Sequence, residues 1–87
     1  MRYLIIDSVK LSTIEADSKA AAAAKYARRN LPHDALIKLY RLRVLEMDLA
    51  TDFNVLATRH GDHIESVANQ IPPDSQFRKE ATDAHQP

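Results

Sequence analysis

An alanine-rich run at residues 19–29, KAAAAAKYARR, is the feature that most limits what this chain can fold into. Alanine loses no side-chain entropy in a helix, so the run predicts an α-helix. Asp17-Ser18 can accept from the free amides of its first turn, and Asn30 and Pro32 are expected to end it. One stripe of mostly small side chains is predicted to pack closely on a sheet: Ala20, Ala23, Ala24, Ala27 and Leu31.

The segments on either side of this helix alternate with a period of two. Residues 2–16 are rich in β-branched side chains, and we expect one long strand with a bend or bulge near Asp7-Ser8 or Lys10. The alternation over residues 35–47 predicts a second strand. One face is buried through Tyr40, Leu42 and Val44, and the other is half-exposed: Leu39, Arg41, Arg43 and Leu45. If the two strands are parallel neighbours, the helix between them is a right-handed crossover.

Residues 51–71 are predicted to form a second helix. Thr51-Asp52 can start it, and Pro72-Pro73 would end it. A short strand over 53–59 followed by a helix from Asp62 is the competing interpretation. The long helix is favoured because one apolar stripe continues through Gly61 at helical spacing: Phe53, Ala57, His60, Ile64, Val67 and Ile71.

These elements predict an α+β fold. A strand–helix–strand unit, with the Ala-rich crossover helix on a small sheet, would be followed by the second amphipathic helix. Residues 1–71 are expected to form a single small domain, and residues 72–87 an extended polar tail. The chain has 87 residues and no Cys, so disulfides and thiolate zinc sites cannot add to a thin core.

Charge is distributed unevenly along a chain whose formal net charge is zero. Residues 1–45 carry nine basic and four acidic side chains, a net charge of +5. Residues 46–87 carry three basic and eight acidic side chains, a net charge of −5. The balance argues against a generic nucleic-acid binder, and the asymmetry suits attraction between the halves, within one chain or between neighbouring chains.

Residues 57–63, ATRHGDH, contain candidate chemistry. Their Arg59-His60-Gly61 resembles the arginine–histidine–glycine signature of the histidine phosphatase (phosphoglycerate-mutase-like) superfamily. The resemblance implies a phosphorylated nucleophile at His60 and a phosphate clamp at Arg59. It covers three residues, and the second, distant histidine that such a site needs could come downstream only from His85. A phosphohydrolase at His60 is therefore a remote alternative.

The same segment carries side chains that can bind metals. His60 and His63 could share one ion on a helix. Because the predicted stripe includes His60 and leaves Asp62 and Glu65 outside it, we expect a histidine at the edge of the core and no metal. Gly61 is the single glycine, so a glycine-rich phosphate loop is excluded. We expect no cofactor, no catalytic residues and no enzymatic activity.

The function that these observations favour is a small non-enzymatic protein–protein interaction module, a subunit or adaptor of a larger assembly. Open strand edges and a thin core favour association with a protein partner or with another copy. A small nucleic-acid-binding regulator with a basic strand or helix face is the alternative. The candidate interaction residues are Arg28, Arg29, Lys38, Arg41, Arg43 and Phe77.

Location and source can be argued only from composition. The N-terminal residues show no signal peptide, and no stretch approaches the roughly 20 apolar residues of a membrane span. We therefore expect a cytoplasmic protein that does not bind membranes. Small size without a targeting signal is also typical of a virus- or phage-encoded structural or accessory protein, which would then be virion-associated.

Overall fold

A five-stranded antiparallel sheet with one helix on it forms the part of the protein that the computed structural model describes, residues 1–72. Phe77 and the rest of the predicted tail from residue 73 onward lie outside it. The strand order is β2-β1-β3-β4-β5, and each neighbouring pair is antiparallel. The elements are β1 Arg2–Asp7, β2 Lys10–Glu15, α1 Lys19–Asn30, β3 Ile37–Glu46, β4 Leu49–His60 and β5 His63–Ile71.

The predicted fold class is wrong. The strands β2 and β3 that flank α1 are not neighbours, because β1 lies between them and pairs with both. The second helix is absent from residues 1–72, and most of the described chain is sheet. Within the same residues, no helix is both long and apolar enough to cross a membrane.

The first predicted strand is in fact a hairpin. The chain reverses at Ser8-Val9, so that β1 and β2 pair with each other from Arg2 opposite Glu15 to Asp7 opposite Lys10. Ser8 takes a φ of 57°, in the left-handed region that tight hairpin turns require. The sequence favours only a bend or bulge here because residues 2–16 contain no Gly, Pro or Asn.

The predicted helix at residues 51–71 is the hairpin of β4 and β5. Its turn is Gly61-Asp62, with Gly61 at a φ of 61°. The competing interpretation is correct for the strand at 53–59 and wrong for the helix from Asp62. A spacing of four residues fits both a helix and one face of a strand, so Phe53 and Ala57 match either pattern. Long pairing of β4 with β3 and with β5 favours the sheet.

The helix α1 begins and ends where the sequence predicts. The hydroxyl of Ser18 accepts a hydrogen bond from the Ala21 amide at 3.1 Å, and the Asn30 side chain donates to the Tyr26 carbonyl at 2.8 Å. The predicted stripe is partly wrong, because Ala20 is exposed and Ala24 is half-buried. Burial of the large Tyr26 turns the helix so that its buried face is Ala22, Ala23, Tyr26, Ala27 and Leu31.

The core lies between α1 and one face of the sheet. Tyr40, Leu42 and Val44 are buried there, as their shared parity predicts. The ring of Tyr40 meets that of Tyr26 edge to face, with centroids 6.2 Å apart. The remaining strand residues of this core are Tyr3, Ile5, Ile14, Phe53, Val55 and Ala57. The opposite face of the sheet is therefore left without a second layer from residues 1–72.

Candidate interaction surface

The sheet surface opposite α1, called here the open face, carries exposed apolar side chains at its centre. Leu39, Leu56 and Val67 are aligned across β3, β4 and β5 by the strand register. Their exposed fractions are 66 %, 41 % and 59 %, although each is a large hydrophobic residue. Ile37, which is also exposed, lies two residues before Leu39 on the same face of β3. Contiguous exposed apolar patches are uncommon on monomers and mark interaction sites.

Alternation along the strands also brings six charged side chains to the open face, three cations and three carboxylates. Two pairs are made within the face. Arg43 donates two hydrogen bonds to Asp52, at 2.8 and 3.2 Å. Arg2 lies 3.8 Å from Glu15. Hydrogen bonding to Arg43 lowers the pKa of the Asp52 carboxyl, with smaller contributions from the charges of Arg43 and Arg41.

The other cation and the other carboxylate, Arg41 and Glu65, are not paired with each other. Arg41 is exposed and has no ion-pair partner among residues 1–72. Glu65 lies near two imidazoles, 3.2 Å from the Nε2 of His60 and 3.8 Å from that of His63. Both charged residues flank Leu56 diagonally, since Arg41 pairs with Asn54 and Glu65 pairs with Thr58 in the register.

The six candidate residues named from the sequence do not form one surface. Arg28 lies on the helix layer and donates to the Ser66 hydroxyl at 2.9 Å, and Arg29 is exposed on the same helix. Lys38 has the parity of the core side of β3, and its ammonium lies 4.8 Å from the centroid of the Tyr40 ring. Arg41 and Arg43 lie on the open face. Phe77 lies outside the described residues.

Two residues of the Arg59-His60-Gly61 segment have structural roles, Arg59 in holding a loop and Gly61 in forming a turn. The Arg59 guanidinium donates to the carbonyls of Ala35 and Pro32, at 3.2 and 2.9 Å. These bonds fasten the loop before β3 to the end of β4. Gly61 supplies the left-handed residue of the β4–β5 turn. The two bonds use two of the five N–H donors of the guanidinium, so they give Arg59 a structural role.

The expected position of His60 at the edge of the core is wrong. His60 closes β4 opposite His63, and their side chains are 57 % and 71 % exposed. A strand places alternate residues on opposite faces, so His60 moves away from the core residue Ala57. Both imidazoles contact Glu65, yet residues 1–72 contain no group of three or more side chains placed to hold a metal ion.

Sequence reasoning missed the apolar residues at the centre of the open face. The predicted alternation places Leu39 on the half-exposed face of its strand, but Leu56 and Val67 fall within the helix predicted over residues 51–71, which does not form. The signal that could have identified them is the Gly61-Asp62 pair, since Gly-Asp is a two-residue hairpin signature. A hairpin at this point places Leu56 and Val67 side by side on one face.

Comparison with known proteins gives no family for this chain. No protein-family model matches it, and neither a curated protein nor a solved structure is similar enough to count as a match.

Proposed function

We propose that this protein is a small protein–protein interaction module, a subunit or adaptor of a larger assembly, and that it binds through the open face. The exposed row of Leu39, Leu56 and Val67 carries the proposal. Burying these side chains against a partner would contribute roughly 25 cal/mol for each Å² of apolar surface removed from water. The polar side chains around the row, Arg41, Asn54 and Asn69, can supply the hydrogen-bonding rim that such interfaces have.

The rest of the sheet supports the choice of this face over the strand edges. The edge strand β5 is bonded to α1, because the Ser66 hydroxyl donates to the Ala24 carbonyl at 2.8 Å. The other edge strand, β2, is bonded to α1 through Lys25, whose ammonium donates to the Glu15 carbonyl at 2.6 Å. A sheet ordinarily buries a face against another layer. The open face is where a partner could add that layer without displacing α1.

A charge at the centre of the row tests the proposal. Leu56→Glu should abolish partner binding because it would bury an unpaired carboxylate in the interface. Val9→Glu is the matched control, since Val9 is an apolar residue that is 97 % exposed in the β1–β2 turn. Immobilised wild type, Leu56→Glu and Val9→Glu would be compared for the proteins that they retain from the source cells. A partner held by the first and third and lost by the second supports the proposal.

Equal retention by all three proteins would contradict it. The fold of each variant is checked by circular dichroism, and Leu56 is exposed enough for the substitution to be tolerated.

The cations of the chain suggest nucleic-acid binding as the alternative function. Wild type would be titrated with a random duplex and a random single strand at low salt. Affinity that falls steeply with salt and is lost in Arg41→Glu, without Leu56-dependent protein retention, would replace the proposed function. The distribution of Arg28, Lys38 and Arg41 over different surfaces gives this alternative less support than a single basic face would.

A further inference from the structure

We infer that the partner of the open face is a second copy of this chain, packed face to face about a two-fold axis over Leu56. In this dimer, Arg41 of each copy pairs with Glu65 of the other. The inference rests on the proposed function and deepens it, because it names the occupant of the same surface.

The charges of the open face favour a second copy as the partner. A two-fold interface uses the same patch twice, so the patch must be complementary to itself. The charged side chains of the open face are three cations and three carboxylates. Within one copy, Arg43 pairs with Asp52, and Glu15 pairs with Arg2 and with the N-terminal ammonium. Arg41 has no ion-pair partner among residues 1–72, and Glu65 contacts the exposed imidazoles of His60 and His63. Strand spacings place the Cα atoms of Arg41 and Glu65 about 16 Å apart, beyond the reach of a direct ion pair. A second copy can supply a carboxylate for Arg41 and a guanidinium group for Glu65.

The positions of Arg41 and Glu65 about Leu56 fit a two-fold axis. Arg41 lies one strand and two residues to one side of Leu56, and Glu65 lies one strand and two residues to the other side. Each Cα is thus about 8 Å from that of Leu56, in opposite directions. A two-fold axis in the interface, passing over Leu56 and perpendicular to the Arg41–Glu65 line, brings each charge over its opposite in the other copy.

The same axis also brings apolar side chains of the two copies together. Leu56 meets its own copy, and Ile37 of each chain lies near Leu39 of the other. The strands of the two sheets cross at about 70°, closer to the orthogonal than to the aligned class of sheet packing. The formal net charge of zero adds no long-range repulsion between copies.

Charge exchange between Arg41 and Glu65 tests the inference. Wild type should show a monomer–dimer equilibrium by sedimentation equilibrium between about 10 µM and 1 mM, the range suited to a small interface. Arg41→Glu and Glu65→Arg should each weaken dimerisation about tenfold or more, because each places two pairs of like charges in contact. Arg29→Glu, the same charge change on the helix layer, should dimerise like wild type.

Mixing the two weakened variants is the decisive step. In a mixed dimer, one chain has carboxylates at both exchanged positions and the other has guanidinium groups at both, so every contact joins opposite charges. An equimolar mixture, and separately the double variant Arg41→Glu/Glu65→Arg, should recover dimerisation to within about threefold of wild type. No recovery in either case, or equal dimerisation by wild type and both single variants, would overturn the inference.

The measurements distinguish failure of the homodimer from failure of the proposed function. A wild type that stays monomeric at 1 mM, with protein retention that still depends on Leu56, would exclude the homodimer and leave the interaction module standing. Monomeric wild type without Leu56-dependent retention would remove both.

Discussion

Two tyrosines in edge-to-face contact have opposite hydrogen-bonding situations. The Tyr26 hydroxyl donates to the Asp7 carboxylate at 2.8 Å. The Tyr40 hydroxyl is buried and has no hydrogen-bond partner among the described residues. A buried polar group without a partner loses its hydration and gains nothing in return, whereas a hydrogen bond to a charged group is among the stronger ones.

Replacing each tyrosine by phenylalanine should therefore give different results. Tyr26→Phe is expected to lower the free energy of unfolding by about 1.5–3 kcal/mol, because it removes a hydrogen bond to a charged carboxylate. Tyr40→Phe should be neutral or slightly stabilising, because both rings stay packed. Urea denaturation of wild type and the two variants measures this difference. Equal losses in the two variants would mean that the Tyr40 hydroxyl has a partner.

The same hydrogen bond predicts how stability changes at alkaline pH. Burial first, and then the bond to Asp7, raise the pKa of Tyr26 from 10.0 to about 12. The unfolded chain releases this phenolic proton near pH 10, before the folded chain does, so the contribution is complete below pH 10 and is lost as pH rises through about 12. The free energy of unfolding, measured by denaturation at pH 8, 10 and 11, should fall less with rising pH in Tyr26→Phe than in wild type. Part of the pH dependence should remain in this variant, because the pKa values of Tyr3 and Tyr40 are also raised.

At the scale of elements, the contact between α1 and the sheet depends on small side chains. Ala23 is fully buried, while Ala24 is half-buried and its carbonyl accepts from Ser66. Ala23→Leu should destabilise the protein by about 1–3 kcal/mol through overpacking, and Ala24→Leu should do so less. Thermal melts of both variants test this order. An Ala23→Leu protein as stable as wild type would mean that the helix can move away from the sheet at no cost.

The hairpin turns give a second test, because residues with the same backbone conformation differ in how well they suit it. Gly61 and Met47 have φ values of 61° and 60°. A Cβ on Gly61 would contact nothing within 4 Å, so Gly61→Ala should destabilise by about 1–2 kcal/mol through backbone strain alone. Met47→Asn should stabilise by a few tenths of a kcal/mol, since Asn tolerates the left-handed region. Denaturation midpoints that move the same way in both variants would contradict this explanation.

At the scale of the whole molecule, stability should depend on protein concentration. Within residues 1–72, α1 covers one face of the sheet and no second layer covers the open face, so a second copy there would add stability by mass action. The thermal midpoint of wild type is expected to rise between about 10 µM and 1 mM, the range suited to a small interface, and that of Leu56→Glu to stay constant. Calorimetry at several concentrations measures both. A constant midpoint in wild type would contradict dimerisation in this range.

The sequence by itself determines the features that depend on neighbouring residues. Alanine propensity, the Ser18 cap and the Asn30-to-Pro32 stop set the bounds of α1. The alternation of Tyr40, Leu42 and Val44 sets the buried face of β3 and places Arg41 and Arg43 on the other face. Helical propensity and side-chain parity are local properties, so no distant contact is needed to read them.

Only the tertiary structure decides what residues 51–71 become and which surface stays open. The same apolar positions suit a helix or a strand, and the choice depends on strand partners far away in sequence, since β4 pairs with β3 and β5. That pairing brings Leu39, Leu56 and Val67 into one row and places Arg41 and Glu65 on opposite sides of it. The order β2-β1-β3-β4-β5 is likewise a property of the tertiary structure, because hydrogen bonds between strands join segments that no local pattern connects.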